Sequence, residues 1–431
     1  MCRNNIRLII VLFNVLFFTH AMSVDRHVGN GQTYSTISAA ISAAGSGDNV
    51  IVHSGTYAEM LDISKSNVTV QNFQNDLVTV TGGNNSRVVR ILGGSNFTFR
   101  GIRFAASSSP QWIVAMGGGS STNTTFDACT FIGGSGTDKW IYQDNSNSYN
   151  GLTITHCDFS GRSTYDGPFY LSSSNRLTFS YNNIDAGGLA SGAGTVFFAE
   201  FMNEEAGSNY CYVENNYWYN IGSQISVAAF MFRECDGFYF RNNVISVDAD
   251  YNNASYDYLA QIRGMTNGGD ACDNFYFECN TIITGGSQIS NGGIVFFSDT
   301  PVNNKITNNL IIGNVGTFAN TLSPFNTGSG NVVQNNRCTD ASVTWSASMG
   351  GGFTVSNNSA GQSVIWNASG NIPSPYYDLT GSSDGGVYVW NPSIDYDGNP
   401  RHSPPDIGAF EYGTGTINNP PGKPTGMSVN P

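Results

Sequence analysis

Two arginines stand out in a sequence that holds few of them. Lys and Arg together number 18 among 431 residues. Yet Arg233 and Arg263 occupy similar places in two short apolar segments, AFMFRE (229–234) and AQIRG (260–264). Three more segments share the pattern: WIYQD (140–144), PFYLS (168–172) and VFFAEF (196–201). Successive side chains of a strand alternate between its faces. With Ile141, Phe169, Leu171, Phe230, Phe232 and Ile262 pointing inward, the opposite face presents Tyr142, Asp144, Tyr170 and Glu200, then Met231 with Arg233 and Gln261 with Arg263.

Such a face could act on an acidic sugar. Guanidinium groups bind carboxylates bidentately. β-Elimination on a uronate polymer needs a cation to neutralise the carboxylate and a base to take the adjoining proton. Arg233 and Arg263 suit the first task. Tyr170 or Glu200 suits the second, Tyr170 provided that a neighbouring arginine lowers its pKa. Tyr142, Asp144 and Gln261 would then bind substrate. Hydrolysis would instead need two carboxylates flanking the bond, and Glu200 with Glu204 or Glu205 is the nearby acidic group. The plainer reading, a surface ion pair between Glu200 and Arg233 of little energetic worth, stays open. Glu204, Glu205, Glu234 and Asp270 could ligate calcium through oxygen donors, although a solvated acidic loop explains them as well.

These residues need a scaffold that stacks similar strands, and the sequence carries one. A short alternation followed by a turn recurs as NVTVQNF (67–73), NFTFRGI (96–102), TFDACTF (125–131) and TITHCDF (153–159). It continues through TFSYNNI (178–184), CYVENNY (211–217), FYFRNNV (238–244) and FYFECNT (275–281) to NKITNNL, NVVQNNR and FTVSNNS, which end at 310, 337 and 359. Aligned, one column reads Phe73, Ile102, Cys129, Cys157, Asn182, Asn215, Asn242, Cys279, Asn308, Asn335 and Asn357, in steps of 22 to 37 residues. A fixed motif with variable intervals is the mark of a solenoid whose loops differ on one side. Inward asparagines one rung apart can hydrogen-bond in a ladder, a structural role. The sequence thus specifies an all-β, right-handed parallel β-helix of about ten to twelve rungs.

The column stacks Cys129 on Cys157, and Cys235 stacks on Cys272 because both precede Asp-x-Phe-Tyr-Phe. A strand spacing of about 4.8 Å falls within the Cα range of a disulfide, so two bridges are expected. Cys211, Cys279 and Cys338 have no evident partner. His156, beside Cys157, reads as structural, and the sequons at Asn67 and Asn96 read as turn-to-strand chemistry. Tyr34 to Ala44 places Ile37, Ala40, Ile41 and Ala44 at helical spacing before a glycine stop, which predicts a short helix capping the open end.

Residues 1–21 read as a signal peptide: Arg3 and Arg7, an apolar run from Leu8 to Phe18, then Thr19-His20-Ala21. The run is shorter than the roughly 20 residues that span a bilayer. A secreted or cell-surface location, with no membrane span, is expected. The net charge of −13 disfavours nucleic acid as a partner.

The opening TYSTISAAISAAGSGDNVIVHSGTYAE resembles the start of secreted proteins of the pectate-lyase-like β-helix superfamily. DYDGNPRHSPPDIGAFEY (395–412) resembles the closing motif of bacterial secreted β-helix repeat proteins, and PPGKPTGMSV is similar to the start of a fibronectin type III domain. The resemblance implies a β-helix domain over 22–412, with 413–431 a linker and the start of a truncated fibronectin type III-like module. It also implies a polysaccharide partner and a monomer that can form part of a longer multidomain chain. The motifs of polygalacturonases, pectate lyases and pectin methylesterases are missing, so no catalytic set carries over. Polysaccharide lyase is the leading reading, a non-catalytic binding or display module the first alternative and a glycoside hydrolase the second. Calcium is the one cofactor that these residues suggest.

Overall fold

The computed structural model describes residues 23–361, except for 107–111, 135–138, 144–148, 162–166, 172–173, 188–194, 203–209, 223–224, 234, 248–257, 264–271, 285–291, 297–300, 314, 322–327 and 347–352, together with 408–409. The chain is a right-handed parallel β-helix. Each turn visits three long sheets in the same order. Sheet I has 13 strands, from Asp25–Val28 to Phe353–Ser356. Sheet II has 11, from Gly55–Tyr57 to Arg337–Cys338, and sheet III has 11, from Leu61–Ile63 to Thr344–Ser346. All the pairings are parallel and join each strand to the equivalent strand one turn away.

The core follows from alternation. Phe99, Phe126, Ile154, Phe179, Val213, Phe240, Phe277, Ile306 and Val333 are the inward residues of successive sheet I strands, and all are fully buried. Phe131 stacks on Phe159 with centroids 4.5 Å apart, and Phe240 on Phe277 at 5.1 Å. Burying an aromatic side chain contributes on the order of 2–3 kcal/mol, so repetition of one inward position supplies much of the driving force.

The corner from sheet I to sheet II holds a fixed chain reversal. Its first residue has φ near +55° in Ala128, His156, Asn215, Asn242, Asn308, Asn335 and Asn357. Gly101 fills that place one turn below Ala128, where a Cβ would collide with Asn72 Oδ1. The residue after it points inward. The ladder is therefore Asn182, Asn216, Asn243, Asn280, Asn309, Asn336 and Asn358, one residue later from 215 onward than the sequence column placed it. In each Asn-Asn pair the first residue takes the left-handed backbone that Asn tolerates, and the second supplies the buried amide. Each Nδ2 donates to the next Oδ1, at 2.9 Å for Asn182–Asn216, 3.0 Å for Asn216–Asn243 and 3.1 Å for Asn243–Asn280. It also donates to a strand carbonyl, as Asn216 Nδ2 does to Phe179 O at 2.8 Å.

The cysteines correct the sequence reading. Cys129 stacks over Cys157 and Cys235 over Cys272, but all seven cysteines from 129 onward are buried free thiols. Stacked side chains leave their strands in the same direction, and a disulfide needs Cβ vectors that converge. The thiols turn to carbonyls instead: Cys157 Sγ donates to Thr155 O at 3.2 Å, and Cys235 Sγ to Arg233 O at 3.3 Å. Burial pushes the Cys211 and Cys338 thiols up to about 11, which keeps them inert.

The expected cap is present. A helix runs Ile37–Ala43, with Thr36 at its N-cap and Ile37, Ala40 and Ile41 buried. Glu59 accepts from the Ile37 and Ser38 backbone N–H groups at 2.7 and 2.9 Å, which fastens the helix across the end of the coil. Asn67 and Asn96 sit at φ 55° in another turn, where Asn96 Nδ2 donates to Asn67 Oδ1 at 2.8 Å. Among the described residues no helix is long and apolar enough to cross a membrane.

Candidate functional site on the outer face of sheet III

Sheet III carries the segments singled out above, and its register fixes their relative places. The inward columns are Ile141–Phe169–Ala199–Phe230–Ala260 and Gln143–Leu171–Phe201–Phe232–Ile262. Between them lies one column in register: Asp62, Arg90, Ala115, Tyr142, Tyr170, Glu200, Met231, Gln261, Val295 and Asn320. Arg233 pairs with Arg263 two positions further along the strands. Tyr142, Tyr170, Glu200 and Gln261 thus share one column, and the two arginines adjoin its upper part. Tyr142 to Gln261 spans four rungs, roughly 19 Å at the usual strand spacing. Asp144, Glu204, Glu205, Glu234 and Asp270 lie outside the described residues. Among the described residues no group of three or more metal-ligating side chains occurs.

The lower part of the column is aromatic. Tyr142 stacks on Tyr170 with centroids 5.3 Å apart, and Trp112 stacks on Tyr142 at 4.4 Å. Arg87 lies 4.4 Å over the Trp112 ring, and Lys139 Nζ 5.7 Å over Tyr170. Asp62 and Arg90 close the bottom with a bidentate pair at 2.6 and 2.8 Å. The expected neighbour of Tyr170 was an arginine. The cation over its ring is Lys139, because Arg233 stands two rungs up and two positions along.

The upper part is covered. Met231 and Gln261 point away from the helix core, yet both are 0% exposed. Arg233 and Arg263, on the same strands, are partly exposed. Neither Oε1 nor Nε2 of Gln261 has a hydrogen-bond partner. A buried amide stripped of water and left unbonded costs about 1–3 kcal/mol per group, so this side chain does not stabilise the fold through hydrogen bonds.

No protein-family model and no curated protein matches the sequence. Solved structures of similar fold include a lacto-N-biosidase from Eubacterium ramulus, 10% identical over 78% of this chain and 67% of that one, with a TM-score of 0.49. Pectate lyase Pel9A is 13% identical over 90% and 95% of the two chains, with a TM-score of 0.39. An alginate lyase from Paenibacillus sp. is 9% identical over 78% and 99%, with a TM-score of 0.32. The likeness is one of fold.

Sequence reasoning named the column from Tyr142 to Gln261 and missed Trp112, Arg87 and Lys139 beside its lower part. Trp112, Arg87 and Lys139 belong to a column at the edge of the strands, where Trp112 pairs with both Arg87 and Lys139. WIVAM (112–116), the strand one turn before WIYQD, held the signal: an aromatic residue two places before an inward valine.

Proposed function

We propose that the chain is an exported carbohydrate-active β-helix protein that binds an acidic polysaccharide along the outer face of sheet III and cleaves it by β-elimination. The observation that carries this reading is Gln261: a fully buried, unbonded carboxamide on the strand of Arg263 and one rung from that of Arg233. Two guanidinium groups beside an amide without partners suit a ligand rich in carboxylate and hydroxyl oxygens. The stacked Trp112, Tyr142 and Tyr170 would extend the strip as a platform for further sugar units.

In the proposed step, Arg233 and Arg263 neutralise the carboxylate of the unit to be cleaved. A base removes the adjoining carbon-bound proton, the electron pair forms a carbon–carbon double bond, and the glycosidic oxygen leaves and takes up a proton. Glu200 adjoins the strand of Arg233 and Tyr170 is one rung further away, so the register favours Glu200 as base. Tyr170 remains available to protonate the leaving oxygen.

The test is ultraviolet absorbance on a panel of acidic and neutral polysaccharides, with and without calcium. A rising signal from the new double bond, reduced at least about 100-fold in Arg233→Ala and Arg263→Ala, is expected. Reducing ends without that absorbance would replace the lyase by a hydrolase. Silence in both assays would leave a binding or display module.

A further inference from the structure

The outer face of sheet I changes character part-way up the solenoid. Its outward column begins with Thr69, Thr98, Thr125, Thr153 and Thr178 in register. From the next strand it reads Tyr212, Tyr239, Tyr276 and Lys305. The phenol rings stack, with centroids 5.1 and 4.5 Å apart and planes within 17° and 5° of parallel. The adjoining outward column reads Glu214, Arg241, Glu278 and Thr307. Arg241 Nε binds Glu214 Oε2 at 2.7 Å, and its guanidinium lies 5.1 and 5.3 Å from the Tyr212 and Tyr239 rings. Tyr210, 51% exposed, stands beside the stack, 5.7 Å from Tyr239.

Glu278 is the unusual member. It is 1% exposed although alternation turns it away from the core. Its Oε1 accepts from Thr307 Oγ1 at 3.1 Å, while its Oε2 is buried with no hydrogen-bond partner. Burial pushes its pKa up to about 8, against the opposing pull of Thr307, Arg241 and Lys305. At neutral pH it is a carboxylic acid, one oxygen of which has no partner.

We infer that the outer face of sheet I from Tyr210 to Glu278 is a second ligand site, which takes a neutral, hydroxyl-rich molecule of the sugar class. The exposed Tyr210 ring, backed by stacked tyrosines, offers a flat apolar platform for the carbon face of a sugar. The uncharged acid offers one bond to a hydroxyl, which can donate or accept as required. Arg241 is already matched by Glu214, so the guanidinium here does not call for an anionic ligand. A few fixed polar groups beside an aromatic surface are the usual make-up of a small-molecule site. The inference does not depend on sheet III being catalytic.

The test is isothermal titration of the full chain with cello-, xylo- and manno-oligosaccharides. Binding of at least one probe is expected, unchanged in Arg263→Ala and weakened at least tenfold in both Tyr210→Ala and Glu278→Leu. Tyr210 is a surface residue, so its variant keeps the test independent of any folding defect at Glu278. Two results would overturn the inference: no heat with any neutral probe, or binding that Arg263→Ala abolishes and Tyr210→Ala leaves intact.

Discussion

Asn243 and Gln261 carry the same functional group, lie on one turn of the coil and are both wholly buried. Their surroundings differ completely. Asn243 Nδ2 donates to Val213 O at 2.9 Å and to Asn280 Oδ1 at 3.1 Å, and its Oδ1 accepts from the backbone N and Nδ2 of Asn216 at 3.1 and 3.0 Å. The side chain of Gln261 makes no hydrogen bond. The amide inside the coil is consumed by the fold. The amide outside it is equally buried but has no hydrogen-bond partner for its side chain. Satisfaction, rather than burial, separates the ladder amides from the amide that the proposed function uses.

Removing the satisfied amide breaks that contrast most severely. Asn243→Ala strands the backbone N–H and one Nδ2 hydrogen of Asn216 and the Val213 carbonyl, while Asn280 Oδ1 keeps only the Asn243 backbone N–H. At about 1–3 kcal/mol for each buried group left unbonded, the loss should exceed about 4 kcal/mol. Thermal melting followed by circular dichroism should show a large fall in Tm; a shift of only a degree or two would mean that the ladder is dispensable.

Glu278 gives the next largest effect, and its sign can be worked out. The folded pKa of about 8 lies above the reference 4.5. Between those values the folded chain holds a proton that the unfolded chain has released, so this residue's contribution to stability falls as pH rises through the interval, by at most about 1.4 kcal/mol per pH unit. Glu278→Gln cannot ionise. Its stability relative to the parent should therefore grow from pH 5 to pH 8, and a difference independent of pH across that range would refute the assignment.

Gln261→Leu sharpens the comparison from the other side. Replacing an unbonded amide by an apolar group of similar size should leave stability unchanged or raise it by about 1–2 kcal/mol, while weakening polysaccharide binding. Destabilisation with binding intact would place Gln261 among the structural groups.

The coil was legible because its information is repetitive: eleven versions of one motif, alternating inward and outward, leave a single register for each strand. What failed was finer. In Asn-Asn the two residues have the same composition but different backbones, and the mixed pairs Ala128-Cys129, His156-Cys157, Tyr181-Asn182 and Cys279-Asn280 reveal that the left-handed residue comes first. The stacking of the cysteines was readable, but the parallel direction of their side chains ruled out bridges. On sheet III the outward column could be written down from alternation alone. That Met231 and Gln261 are covered could not, since their burial comes from beyond their own strand. The tyrosines of sheet I had been absorbed into the repeat as mere strand residues.

The ladder amides also share one orientation. From Asn182 to Asn358 every Nδ2 faces the following rung and every Oδ1 the preceding one. The row is a polarised filament in which each dipole aligns the next. Turning one amide over would set oxygen against oxygen on one side and nitrogen against nitrogen on the other. The row therefore has two unlike ends, as a directional polymer does, and every rung between them shares one polarity.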